Sequence, residues 1–178
     1  MGEDVKKVIV NLGCGFRKIE GAINVDAFPN CKPDVLWNLN ERPWPFGDES
    51  VDMIHAHQVM EHLDDWWSAI KECTRILKRG GTLEISVPDH TSTQDMGYID
   101  HKHILTRYSF HLILGEQQRG ANAWAKQEEQ VPLCMTQYVR IIQDQYVKWW
   151  IPKRVLKFCA DHMVNFVQEQ KFSFIKTR

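Results

Sequence analysis

The sequence predicts an α/β fold, and three features carry that reading. A continuous apolar run, Val8 to Leu12, breaks at Gly13-Cys14-Gly15, as a strand buried on both faces of a parallel sheet does where it meets a turn. Further short strand-like runs follow at the spacing that strand–crossover–strand units need. Between two of them lies a segment of strong helical periodicity, in which Leu63, Trp66, Trp67, Ile70, Thr74 and Leu77 recur at steps of three and four.

The elements then follow in order. Strand one is Val8 to Leu12, strand two Ala22 to Val25, and "DVLW" (34–37) a short third strand. Pro43 and Pro45 make "NERPWPFGDES" a loop. "VDMIHAH" (51–57) is a fourth strand, running into a polar end. The helix spans 63–78, with Asp64 and Asp65 near its start and Lys78 and Arg79 at its end, as the macrodipole favours, and Gly80-Gly81 as its stop. "TLEISVP" (82–88) is a fifth strand. In the second half, 90–103 is a loop, 106–117 a helix with Thr106 as its N-cap, 118–136 irregular and 138–150 extended. Residues 152–163 form a helix with Pro152 in its first turn, and 165–177 are a last strand.

Composition bounds the function. At 178 residues, 43% hydrophobic and 25% charged, the chain reads as one soluble domain, residues 1–178. A net charge of −1 leaves no electrostatic footprint for nucleic acid or an acidic membrane face. No apolar run is long enough to span a bilayer, and "MGEDVKK" lacks the layout of a signal peptide. Five cysteines, none in C-x-x-C spacing, argue against a disulfide framework or a cysteine zinc site and for reduced thiols in the cytoplasm.

Ten residues separate Gly15 from Asp26, and six remain between the turn and strand two, less than two turns of helix. A dinucleotide wants its pyrophosphate on a helix N-terminus and a third glycine where this chain has Lys18. S-adenosylmethionine carries no phosphate. A glycine turn lets backbone approach its amino-acid head and ribose, and a carboxylate ending strand two can accept from both ribose hydroxyls. The short crossover therefore suits this cofactor better than a nicotinamide dinucleotide.

"NLGCG", "INVDAFP", "WNLNERPWPFGDESVDMIHAHQVMEHL" and "RILKRGGTLEISVPD", in that order, resemble the successive motifs of class I S-adenosylmethionine-dependent methyltransferases, closest to the methyltransferase-11 type with a shortened first helix. Some members are associated with sugar or surface-polysaccharide pathways. The resemblance covers about residues 8–90, the cofactor-binding half, and leaves 91–178 as the substrate-side and C-terminal half. It implies a Rossmann-like, doubly wound, mostly parallel sheet of seven strands with the last antiparallel. It also implies methyl transfer to a small-molecule or glycan-like acceptor, with S-adenosylhomocysteine as product. Gly13, Cys14 and Gly15 would line the methionine end, Asp26 would hold the ribose, and Ala27 and Phe28 would lie beside the adenosine. Asn38 and Leu39 match the adenine segment, although many relatives carry Asp at the first of these. His57 and Gln58 match the segment beneath the sulfonium. The chain begins almost at strand one, without the helices that often lid such pockets. The methyl end is accordingly expected to be open, or closed by 90–135 or by a partner, whether a second copy in a homodimer or another subunit.

A base is needed where the acceptor is a hydroxyl. His90, His101 and His103 follow strand five at the carboxyl edge of the sheet, where ligands of open α/β sheets bind. They are the catalytic candidates, His103 foremost, with His101 and Tyr98 as substrate contacts. Glu61 and His62 read as helix-start residues, His55 as a packed strand residue, and "DHKH" as a solvated loop, so no metal is expected. The competing class is a non-catalytic S-adenosylmethionine-binding subunit or regulatory partner.

Overall fold

A computed structural model describes residues 7–92, 97–113, 131–142, 152–162 and 167–177. Its strands are β1 (Ile9–Leu12), β2 (Ile23–Asp26), β3 (Val35–Leu36), β4 (Val51–His57), β5 (Leu77–Pro88), β6 (Leu133–Ile142) and β7 (Val167–Lys176), and its helices α1 (Trp66–Ile76), α2 (Arg107–Ile113) and α3 (Lys153–His162). The strands form one sheet in the order β3-β2-β1-β4-β5-β7-β6. The first five are parallel, and β7 runs antiparallel between β5 and β6. The order reverses at β1 and β4, and that switch point is where a doubly wound sheet opens a ligand crevice at its carboxyl edge. The expected α/β class, seven-stranded sheet and antiparallel last strand all hold.

The six-residue crossover is ordered without a helix because two asparagines do a helix's bonding. Asn11 Nδ2 donates to the Arg17 carbonyl and to Asn24 Oδ1, at 3.1 and 2.9 Å. Asn24 Oδ1 also accepts from the Ile19 amide, and its Nδ2 donates to the carbonyls of Ile19 and Ala22. Backbone groups that a helix would satisfy internally are paired by side chains from the adjacent strands.

Three expected boundaries move. The helix begins at Trp66 rather than Leu63, because Met60–His62 already form a 3-10 turn and Asp65 caps the helix by accepting from the Ser68 amide at 2.9 Å. It ends at Ile76, and Gly80-Gly81 lie inside β5 rather than stopping the helix. There the register with β4 passes from Val51↔Leu77 to Met53↔Thr82, a bulge in which a Cβ on Gly81 would stand 2.8 Å from the Lys78 carbonyl oxygen. Residues 133–136, expected to be irregular, belong to β6, and their order comes from pairing with β7 rather than from their own alternation. Residues 114–117 of the expected second helix and 143–150 of the expected extended run lie outside the described residues.

Among the described residues the three helices share one sheet face. Trp66 of α1 meets Phe110 of α2 edge-on at 5.7 Å, and Phe110 packs on Phe172 and Phe174 of β7 at 4.4 and 5.5 Å. Each such buried ring contributes about 1.5–3 kcal/mol. Tyr138 and Arg140 of β6 face the same side, and Arg140 reaches Asp161 of α3 at 3.3 Å. The opposite face carries His55, His57, Glu84, Ser86, Lys171 and Ser173, which line a cavity of about 270 Å³. No described helix is long and apolar enough to cross a membrane.

The end of β5 is tied down by a bidentate pair. Arg140 Nε and Nη2 donate to the two oxygens of Asp89 at 2.9 and 3.0 Å, and Asp89 is fully buried. Burial pushes the Asp89 carboxyl up, but Arg140 and the Thr91 hydroxyl and amide outweigh it and hold the pKa below the usual range. Stability from this carboxylate is therefore complete above the unfolded pKa, about 3.9, and is lost as pH falls through the lower folded value. Arg140→Lys keeps the charge but not the fork, and is expected to cost about 1–2 kcal/mol in urea unfolding at pH 7. That deficit should shrink as pH falls through the folded pKa; a pH-independent deficit would mean the loss lies in packing instead.

Candidate functional site

A cleft of about 380 Å³ opens at the carboxyl ends of β1, β2 and β4, within the size range of small-molecule sites. Its floor is the Gly-Cys-Gly turn. Gly13 and Gly15 are both left-handed, with φ of 58° and 47°. A Cβ on Gly13 would stand 2.4 Å from Val59 Cγ2, so this turn and the chain after β4 approach as closely as they do because position 13 has no side chain. The Cys14 amide donates to the Val25 carbonyl at 3.0 Å and docks the turn onto β2. Burial, aided by the neighbouring Cys31, pushes the Cys14 thiol up to about 11, so it stays protonated and inert at neutral pH.

Asp26 ends β2 with both carboxylate oxygens oriented. Oδ2 accepts from the Gly15 amide at 2.7 Å and Oδ1 from the Phe28 amide at 2.8 Å. Each oxygen keeps a further lone pair, so the carboxylate is a fixed double acceptor at the rim. Phe28 is 72% exposed beside it and forms an apolar wall of the cleft. Across the cleft stand Trp37, Asn38, Leu39 and Asn40. Leu39 is buried under them, and its carbonyl accepts from the Trp44 indole at 3.2 Å. Asn38 Oδ1 already accepts from the Asn40 amide at 3.0 Å. Asn40 Oδ1 accepts from the Asp64 amide, which ties this wall to the start of α1.

The third wall follows β4. Gln58 is left-handed at φ 52°, a conformation that costs a non-glycine residue energy and clusters at functional sites. It redirects the chain into the Met60–His62 turn, which brings Val59, His62 and Leu63 to the cleft. His57 points to the opposite sheet face instead. Its Nε2 lies 3.5 Å from Glu169, and burial holds its pKa below the usual value. Residues 100–103 are held beside the cleft, because the amides of Lys102 and His103 both donate to the Glu61 carbonyl, at 2.8 and 3.2 Å. Asp100 and Lys102 thereby become lining residues.

The expected site residues are partly assembled. Gly13, Asp26, Ala27, Phe28, Asn38, Leu39 and Gln58 line one cleft, with Cys14 and Gly15 in its floor turn, while His57 does not line it. Of the three loop histidines, His101 alone has its ring against a cleft-lining side chain, packing edge-on against His62 at 4.7 Å, with Tyr98 stacked on its other side at 5.4 Å. His103 rests on the Asp64 carbonyl at 3.3 Å, and His90 is exposed beside Asp89. Sequence reasoning missed Trp37, Asn40, Val59, His62, Leu63, Asp100 and Lys102. The signal for His62 was present in "MEHL" directly after β4, but its role depends on a 3-10 turn that helical periodicity does not reveal.

Residues 33–85 match the family described as "Methyltransferase domain". A probable S-adenosylmethionine-dependent methyltransferase of Mycobacterium tuberculosis is 44% identical over 52 residues, 29% of this chain and 18% of that protein, so the chain matches less than a fifth of that relative's length. Among solved structures, an S-adenosylmethionine-dependent methyltransferase from Archaeoglobus fulgidus superposes with a TM-score of 0.63 at 15% identity, over 97% of this chain and 87% of that one. A methyltransferase solved in complex with the Trm112 methyltransferase activator of Haloferax volcanii superposes with a TM-score of 0.60 at 15% identity, over 97% and 84% of the two chains.

Proposed function

We propose that this chain, which has the class I methyltransferase fold and carries methyltransferase-domain sequence at residues 33–85, binds S-adenosylmethionine in the cleft and methylates a small-molecule or glycan-like acceptor. The observation that carries the reading is Asp26, whose two oxygens are aimed by backbone amides while keeping free lone pairs. A ribose diol is the partner that such a double acceptor fits. The donor set suits the rest of the molecule as well. The cleft offers exposed Phe28 and the Trp37–Leu39 wall for an adenine, and the open backbone of a glycine turn for an amino-acid head. Among the described residues no helix follows the turn, because Asn11 and Asn24 hold the crossover in place of one, and this favours a phosphate-free ligand over a dinucleotide.

When bound, S-adenosylmethionine supplies an activated methyl electrophile. The protein's work is then alignment, exclusion of water and removal of the acceptor's proton. Asp26 and the turn fix one end of the cleft, and Gln58 and Val59 shape its middle. His62, Asp100 and Lys102 border the opposite end, with His101 behind them. Of the loop histidines, His101 is the one whose ring lies against a lining side chain at that end.

The test is twofold. Calorimetry with S-adenosylmethionine should show one site per chain, and incubation with hydroxyl-bearing acceptors should release S-adenosylhomocysteine. Absence of binding sinks the reading. Binding without turnover on any acceptor favours the second reading, a cofactor-binding subunit. The activator-bound relative supports that reading, as does the sheet face that no described helix covers. NADH fluorescence enhancement would instead indicate a nicotinamide site.

A further inference from the structure

We propose that Glu61, His62 and His101 form a divalent-cation site of the zinc class at the acceptor end of the cleft. One ligand atom from each of the three lies within 4.8 Å of the others. Around an ion bound at 2.0–2.2 Å, such atoms stand about 3.3–3.5 Å apart, so small rotations about side-chain bonds close the set. This departs from the sequence reading, which treated Glu61 and His62 as a helix start and 90–103 as a solvated loop. The two segments meet because the Glu61 carbonyl accepts the amides of Lys102 and His103.

Three observations point to a cation rather than to incidental proximity. The Glu61 side chain is only 1% exposed, and a buried carboxylate selects positive charge. His62 has an outer partner of the kind that orients metal-bound imidazoles: its Nδ1 is 3.2 Å from the Asp100 carbonyl oxygen and 3.6 Å from Asp100 Oδ2. The His101 ring is braced by Tyr98, stacked at 5.4 Å and 24°.

The donors also define the ion. Two imidazoles and one carboxylate suit zinc and its borderline neighbours, whereas magnesium and calcium prefer all-oxygen sets. Three protein ligands leave a coordination position open, as in catalytic rather than structural sites. The ion's role, though not its binding, rests on the methyl-transfer reading. It would hold an acceptor hydroxyl oxygen in the open position and lower its pKa, the proton passing to solvent, so that an oxygen nucleophile forms without a strong side-chain base.

The experiment uses the full chain stripped with a chelator and then titrated with zinc chloride by calorimetry. Cobalt chloride serves as a parallel visible-absorption probe. One ion per chain is expected. His101→Ala should weaken binding at least tenfold and remove the cobalt bands, and Glu61→Gln should weaken it similarly. His55→Ala, on the opposite sheet face beside Glu84, should leave both unchanged. His101 lies on a loop, so its variant stays interpretable, with an unchanged melting temperature, even where Glu61→Gln destabilises the fold. No saturable binding, or unaltered affinity in His101→Ala, overturns the site, as does loss of the ion in His55→Ala. S-adenosylmethionine titrated into metal-free protein separates the two readings. Cofactor bound without any ion site refutes the cation proposal alone, and an ion bound without cofactor refutes the methyl-transfer reading alone.

Discussion

Gly13→Ala is expected to remove measurable S-adenosylmethionine binding and to lower the melting temperature by roughly 5–15 °C. Two costs add. The backbone at position 13 is left-handed at φ 58°, which costs an L-residue with a side chain about 1–2 kcal/mol. The new Cβ would also lie 2.4 Å from Val59 Cγ2 and 2.8 Å from Val59 Cβ, an overlap that forces the turn and the post-β4 segment apart. Overpacking of this kind costs about 1–3 kcal/mol, and a domain of this size loses about 2–4 °C per kcal/mol. The displaced turn is the floor of the cleft, so binding should fail even where folding survives. Gly15→Ala separates the two costs. It is left-handed at φ 47°, but nothing lies within 4 Å of its Cβ position, so it should carry the backbone strain alone. Gly13→Ala combined with Val59→Ala removes the closest overlapping atom, and should recover part of the melting temperature but not the strain. Equal losses in Gly13→Ala and Gly15→Ala, read by thermal unfolding and calorimetry, would show that the close approach to Val59 is irrelevant.

This contrast also shows what could be read from the sequence. Val10, Leu12, Val25, Ile54, Leu83 and Ile85 are buried strand residues whose apolar runs announced the parallel core directly. Gly13 and Asp26 were legible because their chemistry is local: one turn and one strand end, held by bonds across a short crossover. The third wall was not legible in that way. His57 was expected at the cleft, but strand alternation sends it to the opposite face, and the left-handed residue that turns the chain is the next one, Gln58. The Glu61–His62–His101 group depends on a contact about forty residues apart in sequence, made by amides donating to the Glu61 carbonyl. No periodicity encodes such a contact. The same holds for β6, where Leu133 to Thr136 gain their strand character from β7. Local rules placed the glycine-turn and Asp26 side of the cleft, and tertiary pairing placed the side bordered by His62, Asp100 and Lys102.

Asp26→Ala is expected to raise the dissociation constant for S-adenosylmethionine by about 10–100-fold, the equivalent of about 1–3 kcal/mol for lost charge-assisted hydrogen bonds. On the proposed reading, the loss falls within the ribose contact and its immediate supports. Asp26 Oδ2 holds Gly15 and Oδ1 holds Phe28, so the substitution removes the ribose acceptor and frees both the turn and the apolar wall beside it. The carboxylate sits at the rim, 9% exposed, so the Gly15 and Phe28 amides can turn to water rather than remain buried unpaired. Stability should therefore fall less than affinity. Asp26→Asn is the sharper probe. An amide presents one acceptor oxygen, so one of the two backbone donors must face an NH2 group, and affinity should drop nearly as far although volume is conserved. A ligand series then isolates the diol. Adenosine should bind the native protein more tightly than 2′,3′-dideoxyadenosine, and in Asp26→Ala that preference should collapse towards unity, because the group that reads the hydroxyls is gone. A preference that persists in the variant would place the ribose elsewhere in the cleft, and with it the orientation of the whole cofactor.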